Sequence, residues 1–188
     1  MLKWFFLFLI SFPAQAFTLN QGDVVFVPNP KYSTVAQRKT IASAGLKMNE
    51  VVQSQCFLDW MGKQTVMNET NGRSKEVVIG HLRAITDSVG VKMYYKCMTR
   101  SLKCPLPTSA VAYRQPPEKI INLNTAKFNS SQSICRWAAT MAHEALGHAL
   151  GNYGHSSEWS RYREDTVPYL LSGRKPQYGG DVFGACCK

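Results

Sequence analysis

Six cysteines constrain the fold of this chain more than any other feature of its sequence. Two of them, Cys186 and Cys187, are adjacent near the C-terminus, and a bridge between neighbours would strain the peptide. An even number of cysteines predicts disulfide bonds rather than free thiols if the chain is exported to an oxidising compartment. Zinc binding by these thiols is the alternative, but the sequence has no CxxC pair to favour it.

The spacing of the remaining cysteines suggests how they pair. Cys97 and Cys104 flank a short polar loop, MTRSLK, which favours a local bridge between them. Cys56 and Cys135 would then each bond to one member of the adjacent terminal pair, in an order that the sequence leaves open. Such pairing would hold the C-terminal tail against the body of the protein at two points.

The first sixteen residues, MLKWFFLFLISFPAQA, have the pattern of a secretory signal peptide. Lys3 precedes an apolar run from Trp4 to Ile10, and Ala14-Gln15-Ala16 forms a small-x-small cleavage site. The apolar run is shorter than the roughly 20 residues that a membrane span needs. We therefore expect a signal peptide over 1–16 and a mature domain over 17–188. That domain would be extracellular or periplasmic, without stable membrane insertion.

The charge of the chain indicates the kind of surface that it meets. The formal net charge is +10, and the predicted signal peptide carries one of these charges, Lys3, so the mature domain is near +9. A basic exported protein of this size suits an anionic cell envelope or cell-wall polymer. The basic residues form small scattered groups rather than a stripe interleaved with aromatics, which argues against a nucleic-acid partner. We expect one monomeric domain, because no repeat or linker divides it.

Hydrophobic periodicity predicts a mixed α+β domain with a small sheet. The predicted strands are Asp23–Val27, Val91–Cys97, Ala110–Tyr113 and Lys119–Asn124. The last of these alternates with period two, and we expect it to be the sheet edge at which an extended substrate could pair.

Three helical regions are predicted around these strands. The first runs from Ser33 to Gly62 with a break at Gly45, and the second covers Glu76 to Thr86. The third is a long helix that Ser130 or Ser131 would cap and that Gly151 would end. The tail after Tyr162 is predicted to be irregular.

The long helix carries most of the histidines in the chain. Three of the four, His143, His148 and His155, fall within the stretch HEALGHALGNYGH, together with Glu144. A catalytic zinc ion takes imidazole and carboxylate ligands and keeps one position open for water. Two imidazoles with a non-ligating carboxylate between them could therefore bind zinc and take a proton from the water that it activates.

The spacing of His143 and His148 imposes a structural condition on such a site. On a regular α-helix, residues four apart lie about 40° from each other, and residues five apart about 140°. These two side chains would therefore point away from each other unless the helix accommodates an extra residue. A one-residue π-bulge would do this, and Gly147 would lower the steric cost of the distortion.

The residues AHEALGHALG resemble the active-site helix of the zincin metallopeptidases, commonly AHE-L-GH-ALG in the metzincin clan, with one residue inserted. GNYGHS resembles the segment that carries the third histidine of that clan, also longer by one. HEALGH is similar to the HExxGH motif of the dipeptidyl peptidase III family as well. The similarity covers about fifteen residues. No methionine follows Met141 to form the metzincin methionine turn, and the tail is too short for the distant glutamate of dipeptidyl peptidase III.

The resemblance implies a role for each matching residue. His143 and His148 would be the first two zinc ligands, Glu144 the general base, and His155 the favoured third ligand. The alternatives for the third ligand are Glu158, Glu164 and Asp165. A tyrosine could stabilise the oxyanion, and the candidates are Tyr153, Tyr169 and Tyr178. His81 is expected to be an ordinary satisfied or solvent-facing histidine.

The sequence thus predicts a secreted zinc metallopeptidase with a zincin-like α+β domain, acting on a protein or peptide substrate. A different class of function remains open, namely a non-catalytic basic protein that binds the envelope or acts as an effector and holds a structural metal or none. An amidase acting on cell-wall peptides is a third possibility.

Overall fold

A computed structural model describes the chain over 22–94, 112–115, 119–124, 133–154, 166–172 and 181–188, with only the backbone for 94 and 112–115. The predicted signal peptide and the predicted Cys97–Cys104 bridge lie outside these ranges. The described strands are β1 Val24–Pro28, β2 Asp87–Tyr94, β3 Ala112–Gln115 and β4 Ile120–Asn124. The described helices are α1 Val35–Gln53, α2 Gln55–Lys63, α3 Lys75–Ala84, α4 Ile134–Ala142, a π-helix His143–Ala149, α5 Val167–Leu171 and α6 Val182–Cys186. The predicted α+β class is confirmed.

The four described strands form one sheet in the order β1-β2-β4-β3. β1, β2 and β4 are parallel, and β3 runs antiparallel to β4 with Arg114 opposite Ile121. The expectation that Lys119–Asn124 would be the sheet edge is therefore wrong, because β4 lies between β2 and β3. Its period-two alternation was misleading, since Asn122 and Asn124 are buried along with the apolar residues. Strands inside a parallel sheet are covered on both faces.

The first long helix differs from its prediction in where it breaks. α1 continues through Gly45, where an added Cβ would lie 2.8 Å from the Phe26 ring of β1. The glycine thus allows helix and strand to pack closely rather than ending the helix. The break comes at Ser54, whose N–H donates to the Val51 carbonyl at 3.1 Å and whose hydroxyl accepts from the Phe57 N–H at 3.1 Å. One serine therefore ends α1 and caps α2.

Two further boundaries move relative to their predictions. β2 begins at Asp87 and includes Gly90, whereas the sequence predicted that the strand starts after Gly90. A Cβ at Gly90 would lie 3.1 Å from the Ile120 side chain of β4, so glycine suits this close approach of the two strands. The tail contains the short helices α5 and α6 rather than only irregular structure. None of the described helices is long and apolar enough to cross a bilayer.

Two disulfide bonds hold the C-terminus as predicted. Cys56 of α2 bonds to Cys186, and Cys135 of α4 bonds to Cys187. The adjacent cysteines thus reach two different helices, and this attaches α6 to both. Since α4 also packs on α1 in the core, the helix that leads into the candidate site is held from several sides.

Candidate metal centre

The helix that carries the histidines changes its hydrogen-bonding pattern at the site. Ser133 caps α4 in place of the predicted Ser130 or Ser131, which lie outside the described residues, by accepting from the Arg136 N–H at 3.3 Å. The helix is regular to Ala142 and then continues as a π-helix, in which the Leu150 N–H donates to the Ala145 carbonyl at 2.8 Å. The predicted helix irregularity is confirmed, and it extends over the seven residues His143–Ala149 rather than a one-residue bulge.

The π-helix brings the two histidines of HEALGH together. The ring centroids of His143 and His148 are 5.0 Å apart, and the ring planes meet at 77°. Both side chains are partly exposed, so a ligand could reach them. Hydrogen bonds between residues five apart place those residues on one helix face. On a regular α-helix, His143 and His148 would lie on different faces.

The turn that follows the π-helix determines which ring nitrogen of His148 carries a hydrogen. Its Nδ1 lies 2.8 Å from the backbone carbonyl oxygen of Tyr153. A carbonyl oxygen can only accept, so Nδ1 must carry the hydrogen and donate it. In the neutral ring this leaves the lone pair on Nε2. A histidine ligand oriented in this way through its other ring nitrogen is the usual arrangement in metal sites.

Glu144 is buried beside the first histidine. Its side chain is 8% exposed, and burial raises the pKa of its carboxyl from 4.5 to about 7. Desolvation is the cause, because removing a carboxylate from water penalises its charged form. A carboxyl group with a pKa near neutrality can accept and return a proton at the same pH.

Gly147 is needed for a different reason from the one predicted. A Cβ at this position would lie 2.9 Å from Cβ and 3.1 Å from Cα of Pro168, so only glycine allows α5 to approach the π-helix this closely. The next residue of α5 is Tyr169, whose ring centroid lies 5.1 Å from that of His143 in an edge-on contact. The glycine thus lets α5 place an aromatic side chain against the first histidine.

The π-helix ends before Gly151, where the sequence predicted its end. Leu150 is its C-terminal cap residue, and Asn152 takes the left-handed conformation with φ 54°. Gly151 lies between them, and a Cβ there would overlap the Leu146 carbonyl oxygen and contact the Tyr153 ring. Glycine is therefore required at this position by a close approach.

Several predicted site residues lie outside the part of the chain that the structure describes. They are His155, Glu158, Glu164, Asp165 and Tyr178. Among the described residues, no group of three His, Cys, Asp or Glu side chains is arranged to hold a metal ion. The described portion of the site thus consists of His143, His148 and Glu144, with Tyr169 beside them.

Sequence reasoning missed a second group of side chains, which contacts the turn after the π-helix. His81 of α3 is partly buried and its Nδ1 lies 2.7 Å from the Tyr153 hydroxyl, while Arg73 reaches both. The prediction that His81 is hydrogen-bonded is correct. Its partner Tyr153 also accepts a hydrogen bond from His148 through its backbone carbonyl. No local pattern relates residues about seventy positions apart, so this contact had no sequence signal.

Comparison with known proteins gives no assignment, since the chain matches no protein-family model, no curated protein and no solved structure. Two imidazoles on one helix face, one with Nδ1 already hydrogen-bonded, fit two of the three protein ligands that a catalytic zinc ion takes. The buried carboxyl group next to them fits the role of a proton acceptor.

Proposed function

We propose that this protein is an exported zinc metallopeptidase in which His143 and His148 bind the metal and Glu144 is the general base. The observation that carries the proposal is the π-helix, which places two histidines five residues apart on one face with their ring centroids 5.0 Å apart. A π-segment is rare and tends to occur at functional sites. His155 remains the proposed third ligand.

The chemistry follows from these groups. Zinc, when bound, would act as a Lewis acid that polarises the scissile carbonyl and makes water more acidic. Glu144 takes the proton from the attacking water and delivers it to the departing amine, and its burial keeps other water from competing for that proton. The ring of Tyr169 contacts the ring of the proposed ligand His143, so we assign Tyr169 the stabilisation of the oxyanion. Tyr153 is less suited, because its hydroxyl is engaged by His81 and Arg73.

The sheet suggests where an extended peptide would lie. β3 is the last strand of the sheet, its one described partner is β4, and it contacts the π-helix. A substrate strand could pair with the outer side of β3 through main-chain hydrogen bonds, and it would then lie against the strand that contacts the π-helix. The proposed pairing edge is thus β3 rather than β4. Disulfide bonds are compatible with export, and the basic charge suits a substrate at an anionic envelope.

Metal analysis and one substitution test this function. We expect the purified protein to bind one equivalent of zinc, to cleave unfolded protein, and to lose that activity on chelation. Glu144→Gln should keep the zinc and lose hydrolysis by a factor of at least about a thousand, in the range expected for a general base acting with a metal. The matched control is Glu50→Gln, which neutralises an exposed glutamate paired with Lys47 and should leave the rate unchanged.

The outcome of the same assays separates the alternatives. A protein that binds no zinc at one equivalent, or a Glu144→Gln variant with full activity, would refute the metallopeptidase and favour the non-catalytic envelope-binding protein. A zinc-dependent activity on cell-wall peptides, without cleavage of unfolded protein, would keep the site but assign an amidase.

A further inference from the structure

Tyr153 is held at three points, and one of them is the proposed ligand His148. Its N–H donates to the Gly147 carbonyl at 2.8 Å, and its own carbonyl accepts from His148 Nδ1 at 2.8 Å. Its side chain is 2% exposed, and its hydroxyl meets His81 Nδ1 at 2.7 Å. The residue therefore connects the π-helix to α3 through its backbone and its side chain.

The protonation of this contact can be deduced from its third member. Arg73 Nη1 lies 2.9 Å from His81 Nδ1 and 3.2 Å from the Tyr153 hydroxyl. A guanidinium group has donors and no acceptor, so His81 Nδ1 must accept and carries no hydrogen. The hydroxyl can then accept from Arg73 and donate to His81. Both burial and the Arg73 charge lower the pKa of His81, which favours this neutral form.

A neighbouring loop, which we define as residues 68–73, holds the same turn by independent contacts. Asn71 Nδ2 donates to the Asn152 carbonyl at 2.8 Å. The Glu69 carboxylate lies so close to Gly154 that a Cβ there would be 2.5 Å from Oε2. Asn71 and Glu69 both have positive φ, 56° and 54°, a conformation that costs energy in a non-glycine residue and persists where surrounding contacts enforce it. Side chains of the 68–73 loop thus hydrogen-bond to Asn152 and Tyr153, and Gly154 lies next to Glu69.

We propose that Tyr153, His81 and Arg73 form a positioning cluster that fixes the Tyr153 carbonyl against His148, and thereby holds this proposed ligand in the Nδ1–H form, in which Nε2 is the nitrogen that would bind a metal. These are positioning residues, because none of them is proposed to touch zinc or substrate. The inference rests on the proposed function for its consequence, but the hydrogen bond that it explains exists without metal. The same cluster anchors the turn two residues before His155.

A fixed His148 ring reduces the entropy that is lost when a metal binds. An imidazole that can rotate or change its tautomer must be ordered when metal binds, and this ordering weakens affinity. Groups that orient a metal ligand through its second nitrogen typically contribute 10–100-fold to metal affinity or activity. The cluster acts on His148 only through the Tyr153 backbone. We therefore expect removal of the Tyr153 hydroxyl to weaken zinc affinity about tenfold, the lower end of that range.

The direct test is the tautomer of His148 in zinc-free protein, read from the ¹⁵N chemical shifts of its ring. We expect the wild type to hold the Nδ1–H form, and Tyr153→Phe to shift a substantial share to the other tautomer while it retains the buried ring. His81→Leu should act in the same way. His81→Asn should restore the wild-type pattern, because its amide oxygen can accept in place of Nδ1. The matched control is Tyr32→Phe, which removes a hydroxyl from an exposed tyrosine.

Zinc affinity, measured by competition with a chromogenic chelator, provides the second readout. Tyr153→Phe should raise the zinc dissociation constant about tenfold, and Tyr32→Phe should leave it unchanged. An unaltered His148 tautomer in Tyr153→Phe would overturn the proposal, even if the variant were less stable, because the residue would then act in packing alone. If the wild type binds no zinc but Tyr153→Phe shifts the tautomer, the positioning stands and the proposed enzyme does not.

Discussion

Replacing the buried carboxyl group of Glu144 by an amide should stabilise the zinc-free protein, and this effect should grow with pH. The carboxyl group is 8% exposed, and burial raises its pKa to about 7, whereas its ordinary value is 4.5. Between these two values the folded protein binds more protons than the unfolded chain, so the free energy of unfolding falls as the pH rises. The contribution is fully present below about pH 4.5 and is lost as the pH rises through about 7.

The size of the effect follows from the two pKa values. At about 1.4 kcal/mol per pH unit, the difference between them amounts to about 3 kcal/mol at pH 8. Glu144→Gln has a similar shape and no charge to desolvate, so it avoids this loss. The advantage of the variant over the wild type should therefore be under about 1 kcal/mol at pH 5 and approach about 3 kcal/mol at pH 8.

Urea unfolding of chelator-treated protein at several pH values, followed by tryptophan fluorescence, measures this difference. Glu50→Gln is the control, since it removes an exposed ion pair that is worth under about 1 kcal/mol. Parallel curves for the wild type and Glu144→Gln across pH 5 to 8 would refute the reasoning. They would mean that the carboxyl group is solvated in the folded protein.

Three other predictions concern the packing, the chemistry and the covalent framework. Gly147→Ala should destabilise the protein by about 1–3 kcal/mol in thermal unfolding, because the added Cβ would meet Pro168 of α5. Gly80→Ala is the control and should be neutral or stabilising, because nothing lies within 4 Å of its added Cβ. Equal effects of the two substitutions would contradict the close packing of α5 on Gly147. Tyr169→Phe should lower kcat about 100-fold with little change in KM, and an unchanged kcat would remove it from the mechanism. The double replacement Cys56→Ser with Cys186→Ser should lower the free energy of unfolding by about 4–5 kcal/mol, since the bridge joins residues 130 positions apart and closes a long loop even with the Cys135–Cys187 bridge in place; a loss below about 1 kcal/mol in urea unfolding would contradict this.

The features that sequence predicted correctly are those set by covalent chemistry or by local spacing. The adjacent cysteines cannot readily bond to each other, so two separate partners were required, and Cys56 and Cys135 are those partners. The five-residue interval between His143 and His148 required a helix irregularity if both were to share a site, and the helix has one. The mixed α+β class followed from periodicity in the same way.

The predictions that failed depended on how elements pack. Gly45 has the low helix propensity of any glycine, but α1 continues through it, and the Phe26 ring occupies the space that a side chain would need there. Asn122 and Asn124 gave β4 the alternation of a half-exposed strand, yet both are buried. Burial on both faces is decided by which helices pack above and below the sheet, and a single strand's residues do not contain that information.

The sequence alone determined which groups could do chemistry here and which geometric condition they had to meet. HEALGH carries two imidazoles and a carboxyl group at fixed intervals along one helix, and a local hydrogen-bond pattern is enough to bring the imidazoles together. Only the tertiary structure decided how those groups are supported. The approach of Pro168 to Gly147 and the contact of His81 with Tyr153 join segments distant in sequence. Such contacts arise from packing and from the satisfaction of buried polar groups, which depend on the whole fold rather than on any local pattern.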